Sequence, residues 1–249
     1  MKALRVSLCL IWLLLALGGL VSAGDDASQG EIVINEFMAD PDANAGSDYD
    51  GEWIELFNVT GSAINIDGWT LSDAGTNHLI DNGGTLSVAP GDYVLLCRNA
   101  TSSQNGGIAS CAYEYSSVSL NNSGDSIILQ DEGGETIAQR DYPSSDVTTG
   151  ASTFYIPSDQ PPASGYYTDQ QDDDQWAETD TSSGPTYGDG DYGTPGSKNT
   201  QPGSPDTPTA VTFIQLGGQS PVRWASFSVL GLLLGGLLAL RCRRQPSVD

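Results

Sequence analysis

Apolar and polar positions alternate with period two through the middle of the chain, which predicts strands rather than helices. Glu31–Ala39 reads EIVINEFMA, with Ile32, Ile34 and Glu36 expected on one side and Val33, Asn35 and Phe37 on the other. Glu52–Asn58 (EWIELFN) is a second strand, with Trp53 alternating against Ile54 and Glu55 against Leu56. Shorter pieces follow at 63–66, 69–72, 77–80 and 85–88. Asp92–Cys97 (DYVLLC) is apolar on both sides, which suits an interior strand. Segments 111–115, 118–120, 126–130 and 136–142 complete the series. Turn signals such as Asp67-Gly68, Pro90-Gly91 and Asp131-Glu132-Gly133-Gly134 punctuate it, and no long helical period appears. Many short strands with frequent turns predict an all-β sandwich, one domain from Glu31 to about Asn199, with Trp53 and Trp69 in its core.

Residues 159–192 break the pattern. Pro161-Pro162, Asp172-Asp173-Asp174 and a Gly/Asp/Tyr-rich run offer few apolar side chains to offset ordering entropy, so this part is expected to be partly irregular. Phe154 and Trp176 are the exceptions able to dock on the sandwich, and the three consecutive aspartates read as solvated. Tyr166, Tyr167, Tyr187 and Tyr192 are candidates for stacking on sugars or partner surfaces, or for packing along the sandwich.

The ends have different compositions. Residues 1–23 carry Lys2 and Arg5, an apolar run from Leu8 to Leu20, and Val21-Ser22-Ala23, the pattern of a secretory signal peptide; an uncleaved anchor is the alternative. A Pro/Ser/Thr-rich linker is expected over 200–222. Trp224–Leu240 is 17 residues without a charge, long enough as a helix to reach about 25 Å, and Arg241, Arg243 and Arg244 follow it. A transmembrane helix is therefore expected over 223–240 with a cytoplasmic tail at 241–249. This order places the protein in the cell membrane as a single-pass chain with its sandwich extracellular. Gly231 and Gly235 have the spacing that lets two such helices pack, and Cys242 is a candidate for acylation. A sorting signal cut by a surface transpeptidase would have the same order of segments, but Leu-Pro-x-Thr-Gly is absent.

Charge narrows the partners. Residues 24–222 hold three bases (Arg98, Arg140, Lys198) and 31 acids, a net charge of about −28. That field repels phosphate backbones and disfavours nucleic acid, while it suits multivalent cations or simply solubility at a cell surface. Cys97 and Cys111 are the cysteines that share the exported part, so a disulfide between them is expected, with two buried thiols as the alternative.

Carboxylates are the plentiful reactive groups. Asp40, Asp42, Asp48, Asp50 and Glu52 crowd one Gly- and Asn-containing loop, a candidate Ca²⁺ site or else a solvated acidic loop; the EF-hand spacing is absent. Glu36 and Glu55 on neighbouring strands could form an acid–base pair of the glycosidase kind, or a structural pair bound to backbone amides or water. His78 is the single histidine, which excludes a multi-histidine metal site, and no nucleophile elbow, phosphate-cradling loop or C-x-x-C accompanies it. Asn58-Val59-Thr60, Asn99-Ala100-Thr101 and Asn121-Asn122-Ser123 fit the N-glycan acceptor pattern.

Taken in order, the motifs resemble a lamin-tail domain. The resemblance rests on Ile34-Asn35-Glu36, Glu52–Asn58, Gly68–Asp73, Pro90–Leu96, Asn122–Asp131 and the closing Gly193-Thr194-Pro195-Gly196-Ser197-Lys198-Asn199, and spans about residues 31–199. It implies an immunoglobulin-like β-sandwich and an extracellular bacterial setting. The acidic insertion Tyr166–Asp191 departs from the family pattern. The expected function is a cell-surface, membrane-anchored binding or adhesion module, not an enzyme, with Ca²⁺ as candidate ion and an extracellular protein or glycan as candidate partner. The alternative is an accessory hydrolase domain using clustered carboxylates.

Overall fold

The computed structural model describes residues 27–42, 47–73, 75–158, 162 and 164–199. They belong to the first of two compact units, Met1–Val211; the second, Thr212–Asp249, lies outside the described residues. The expected signal segment, the 200–222 linker and the apolar run at 223–240 also lie outside them. Among the described residues no helix is long and apolar enough to cross a membrane.

The strands are β1 (Ile32–Met38), β2 (Trp53–Asn58), β3 (Ile64–Asn65), β4 (Thr70–Ser72), β5 (Asn77–Leu79), β6 (Ser87–Val88), β7 (Tyr93–Cys97), β8 (Tyr113–Glu114), β9 (Gly124–Gln130), β10 (Thr136–Pro143), β11 (Thr153–Tyr155), β12 (Trp176–Glu178), β13 (Thr186–Tyr187) and β14 (Asp191–Tyr192). A single helical turn, α1 (Tyr166–Asp169), precedes β12. A six-stranded sheet in the order β12-β11-β1-β2-β7-β8 faces a four-stranded sheet in the order β10-β9-β4-β5. The pairs β3/β6 and β13/β14 form small sheets of their own. The main core lies between the two large sheets: Ile32, Ile34, Ile54, Leu56 and Leu96 meet Trp69, Leu71, Ile127, Leu129 and Ile137, all nearly or fully buried. Burying each such aliphatic side chain contributes about 1.5–3 kcal/mol. The all-β sandwich is consistent with the expected immunoglobulin-like architecture.

One irregularity decides which side chains enter that core. Ile34 pairs with Leu56 and Glu36 pairs with Glu55, so Asn35 is an extra residue in β1 and the ladder carries a bulge. Beyond it the faces exchange. Phe37 and Ala39 join Ile32 and Ile34 in the main core, while Met38 turns to the outer face opposite Trp53. The uninterrupted alternation expected for this strand therefore holds only as far as Ile34. The backbone groups of Ile34 left out of the ladder go to the Gln170 side chain: its Nε2 donates to the Ile34 carbonyl at 2.5 Å and its Oε1 accepts from the Ile34 amide at 3.3 Å.

Trp53 and Trp69 are both buried, but in different clusters. Trp69 belongs to the main core; Trp53 lies on the outer face of the larger sheet with Met38, Leu95, Cys97 and Ile108. Tyr187 covers it, the indole N–H donating to the Tyr187 hydroxyl at 3.0 Å and the rings meeting edge to face. Cys97 and Cys111 form a disulfide over the same cluster, with Cα atoms 5.8 Å apart. The Cys97→Ala/Cys111→Ala chain is expected to lose about 3 kcal/mol, because the bond closes a loop of about 15 residues in the unfolded chain. Urea unfolding of the oxidised parent and the double variant measures it.

The acidic insertion is folded where it is described. Arg140 is why. It sits in β10 at a core-facing position, fully buried, and its guanidinium donates to Asp146 and, at 2.7 Å, to Asp173. Its charged end lies 4.9 Å from the centre of the Trp176 ring. Asp173 is thus a partner of Arg140 and not merely one of three solvated aspartates, and Trp176 seals the core beside Phe37 and Tyr155. Glycine does the rest: Gly188 has φ +49°, and a side chain there would begin 1.8 Å from the Gly106 carbonyl oxygen, so the insertion and the disulfide loop touch backbone to backbone.

Candidate functional site

Four strand ends converge at one end of the sandwich: the close of β1, the start of β2, the close of β4 and the start of β9. Between their loops a pocket of about 830 Å³ opens, lined by Ala39, Ser47, Tyr49 and Glu52, by Asp73 and Thr76, and by the stretch Ser119–Asn122 with Asp125. Tyr49 stands on its rim, 57 % exposed.

The stretch Ser119–Asn121 organises the lining. Its three consecutive amides donate to three different carboxylates: Ser119 N–H to Asp73 at 3.2 Å, Leu120 N–H to Glu52 at 3.0 Å and Asn121 N–H to Asp125 at 3.2 Å. The Ser119 hydroxyl adds a second bond to Glu52 at 3.2 Å. A strand was expected over 118–120, but none forms, because side-chain oxygens take the amides a ladder would need.

Glu52 is 2 % exposed. Burial pushes its carboxyl up to about 8, against the opposing pull of the Leu120 and Ser119 bonds and the more distant Arg98 charge. Asp73 goes the other way: burial raises it, but bonds from Thr76, Gly75 and Ser119 outweigh that and hold it below the usual range. Near neutral pH the pocket therefore holds a protonated carboxyl beside an ionised one.

The acidic loop does not close on one point. Asp40 accepts from Asn122 Nδ2 at 2.8 Å and Thr149 Oγ1 at 2.5 Å. Asp42 uses its amide, which donates to Asp191 at 3.1 Å. Asp48 opens the one-turn 3₁₀ helix Asp48–Gly51, and its side chain lies outside what is described. Asp50 accepts from the Ser47 amide at 2.7 Å and from Asn99 at 3.1 Å, and these bonds lower its pKa. Of the four expected ligands whose side chains are described, Glu52 is the one that lines the pocket. Among the described residues no three His, Cys, Asp or Glu side chains gather as a metal site.

Glu36 and Glu55 do face each other, as paired strands allow, and the bulge at Asn35 sets that register. Both are buried. Glu36 accepts from Ser152 Oγ at 2.5 Å, from the Thr194 amide at 2.9 Å and from Thr194 Oγ1 at 2.5 Å. Glu55 accepts from Asn35 Nδ2 at 2.6 Å and from the Gly196 amide at 2.5 Å. Burial raises the pKa of both, and for Glu55 the nearby Glu36 raises it further. The pair clasps the segment Gly193–Asn199 onto the sheet, with Asn199 bonded to Asn35 and to the Tyr155 carbonyl. All four carboxylate oxygens are spent on this segment and its neighbours, which is the structural pairing and not an acid–base arrangement open to substrate.

His78 lies on β5, the edge of the four-stranded sheet. Its Nδ1 accepts from the Ser116 amide at 3.3 Å, which leaves Nε2–H for the Tyr113 hydroxyl at 2.9 Å; burial and then Arg98 lower its pKa. Asn58 is fully buried with its Nδ2 bonded to the Ser62 and Val88 carbonyls, so the first glycan acceptor triplet is closed to modification. Asp73, Ser119 and Asp125 are pocket residues that alternation does not single out. Their signal is positional: Asp73 and Asp125 are acids at strand ends inside two of the motif blocks.

Comparison with curated proteins gives no match. Residues 25–144 match the family model described as Lamin Tail Domain, which covers both β1–β2 and the whole end pocket but stops short of β11, β12 and the clasped closing segment; over that stretch the chain is similar to a lamin-tail domain.

Proposed function

We propose that the protein is a membrane-anchored, cell-surface binding module that acts by contact through its end pocket. The end pocket carries this reading: a polar recess with converging carboxylates, amides and a rim tyrosine is the form that recognition sites take. The leader, sandwich, linker and apolar run in sequence support display at the surface. An accessory hydrolase has one observation in its favour, the protonated Glu52 beside ionised Asp73. Both Glu52 oxygens are bonded to Leu120 and Ser119, so binding stands ahead of turnover.

Asn122→Cys in the full chain tests the proposal, since Asn122 is exposed and lines the pocket. A membrane-impermeant maleimide should label it on intact cells. The adduct should then cut adhesion of those cells to immobilised protein or glycan layers at least several-fold. Labelling that requires lysis, or adhesion unchanged by the adduct, would overturn the reading.

A further inference from the structure

We propose that the proline-rich stretch 200–208, just past Asn199, docks as an extended polyproline II segment in an aromatic cleft on the outer face of the six-stranded sheet. That stretch lies outside the described residues; the cleft lies within them. The cleft is separate from the end pocket, and the inference stands whether or not that pocket binds a partner. It is shallow, and its lining includes Val33, Asn35, Phe57, Tyr93, Pro157 and Tyr166. None of its lining residues is charged, in a chain of net charge −23.

Where the described chain ends points to this occupant. Side chains on the outer face form rows across β1, β2 and β7, and the closing stretch crosses them in turn. Met38, Trp53 and Cys97 form one row, and Tyr187 covers Trp53. Glu36, Glu55 and Leu95 form the next, and Thr194 and Gly196 are bonded to its carboxylates. Asn199 is then bonded to Asn35, beyond that row. The row that follows is Val33, Phe57 and Tyr93. Val33 is buried, while Phe57 and Tyr93 are half-buried with their rings 4.7 Å apart. The chain past Asn199 therefore starts at the edge of an apolar row, continuing the course it has taken over the two before.

The sequence that follows suits that row. Residues 200–208 read TQPGSPDTP, with Pro202, Pro205 and Pro208 three apart. A polyproline II helix has three residues per turn, so the three rings share one side at intervals of about 9 Å. Two strand spacings of about 4.8 Å carry the row from β1 to β7 over a similar distance. Three residues reach at most about 11 Å, enough to bring Pro202 from Asn199 onto the row. Aromatic-lined grooves take such segments because the extended form is already set and little entropy is lost on docking.

Tyr166 supplies a separate observation. It lines the cleft, and its buried hydroxyl has no hydrogen-bond partner among the described residues. Leaving that donor unused is costly. A polyproline II segment makes no internal hydrogen bonds, so its carbonyls are free to accept from a tyrosine hydroxyl. A glycan fits less well. Asn35 already spends its amide nitrogen on Glu55 and Asn199, and the lining has no carboxylate to receive sugar hydroxyls.

The test replaces Ser204 with the photo-cross-linker p-benzoylphenylalanine in the detergent-solubilised full chain, and identifies the cross-linked peptides by mass spectrometry. Irradiation should join position 204 to peptides carrying Phe57, Tyr93 or Tyr166, in a product that runs as a single chain. Pro202→Ala, Pro205→Ala and Pro208→Ala combined should cut that yield at least about fivefold, since they remove both the rings and the preset extended form. They lie outside the sandwich, so its melting temperature should hold. Tyr166→Phe removes the hydroxyl alone and should cut the yield about two- to tenfold, the worth of one hydrogen bond. Cross-links that map elsewhere on the chain, or a yield unchanged by the three alanines, would overturn the proposal. Products that join two chains would make a second copy the occupant and overturn it equally. An unlabelled cleft would be one left open to an outside partner, and would overturn it too.

Discussion

Arg140→Ala is expected to unfold about 3–5 kcal/mol more easily than the parent, the cost of breaking a buried ion pair from one side. The guanidinium is fully buried, donates to Asp146 and Asp173, and lies over Trp176. Without it Asp146 loses its counter-charge, and the insertion loses the contact that ties Asp173 and Trp176 to β10. Denaturant unfolding should show the loss, and limited proteolysis should cut first within 164–192. Asp173→Asn should cost far less, about 0–1 kcal/mol, because Asp173 is 72 % exposed and its pair is largely screened. Equal effects from the two substitutions would mean that Arg140 acts only through Asp173.

Stability should also fall as pH rises from about 4.5 to about 8. Glu52 titrates at about 8 in the folded chain and near 4.5 when unfolded, so between those values the folded state holds one proton more. The stabilisation is complete below 4.5 and is lost as pH climbs through 8, up to roughly 4–5 kcal/mol. Burial raises Glu36 and Glu55 as well, which adds to the same slope. Melting temperature followed across pH 5–8.5 measures the total, and Glu52→Gln should flatten its part. A parent whose melting point is level or rises over this range would contradict the assignment.

Alternation along single segments was enough to place β1, β2, β7, β9 and β10, because each has one face in a core. It could not reveal the bulge at Asn35. The compensating partner is Gln170, more than a hundred residues away, and nothing local marks it. The strand expected at 118–120 failed for a related reason: the amides of Ser119 and Leu120 answer to Asp73 and Glu52, which are remote in sequence. Glu52 was legible as a candidate because it sits in a visible run of acids; Asp73 and Asp125 stand apart from any run. Arg140 reads as an ordinary strand charge, since its burial depends on Trp176 arriving from the insertion. The Glu36–Glu55 pairing was visible as adjacency, but what it grips, the segment 193–199, is far along the chain.

That grip has a mechanical corollary. The described chain ends at Asn199, hydrogen-bonded to Asn35 and to the Tyr155 carbonyl, on strands flanked on both sides within the six-stranded sheet. A pull arriving along the polypeptide past this point is delivered to the middle of the sheet and spread across neighbouring ladders, so an outer strand need not peel away first.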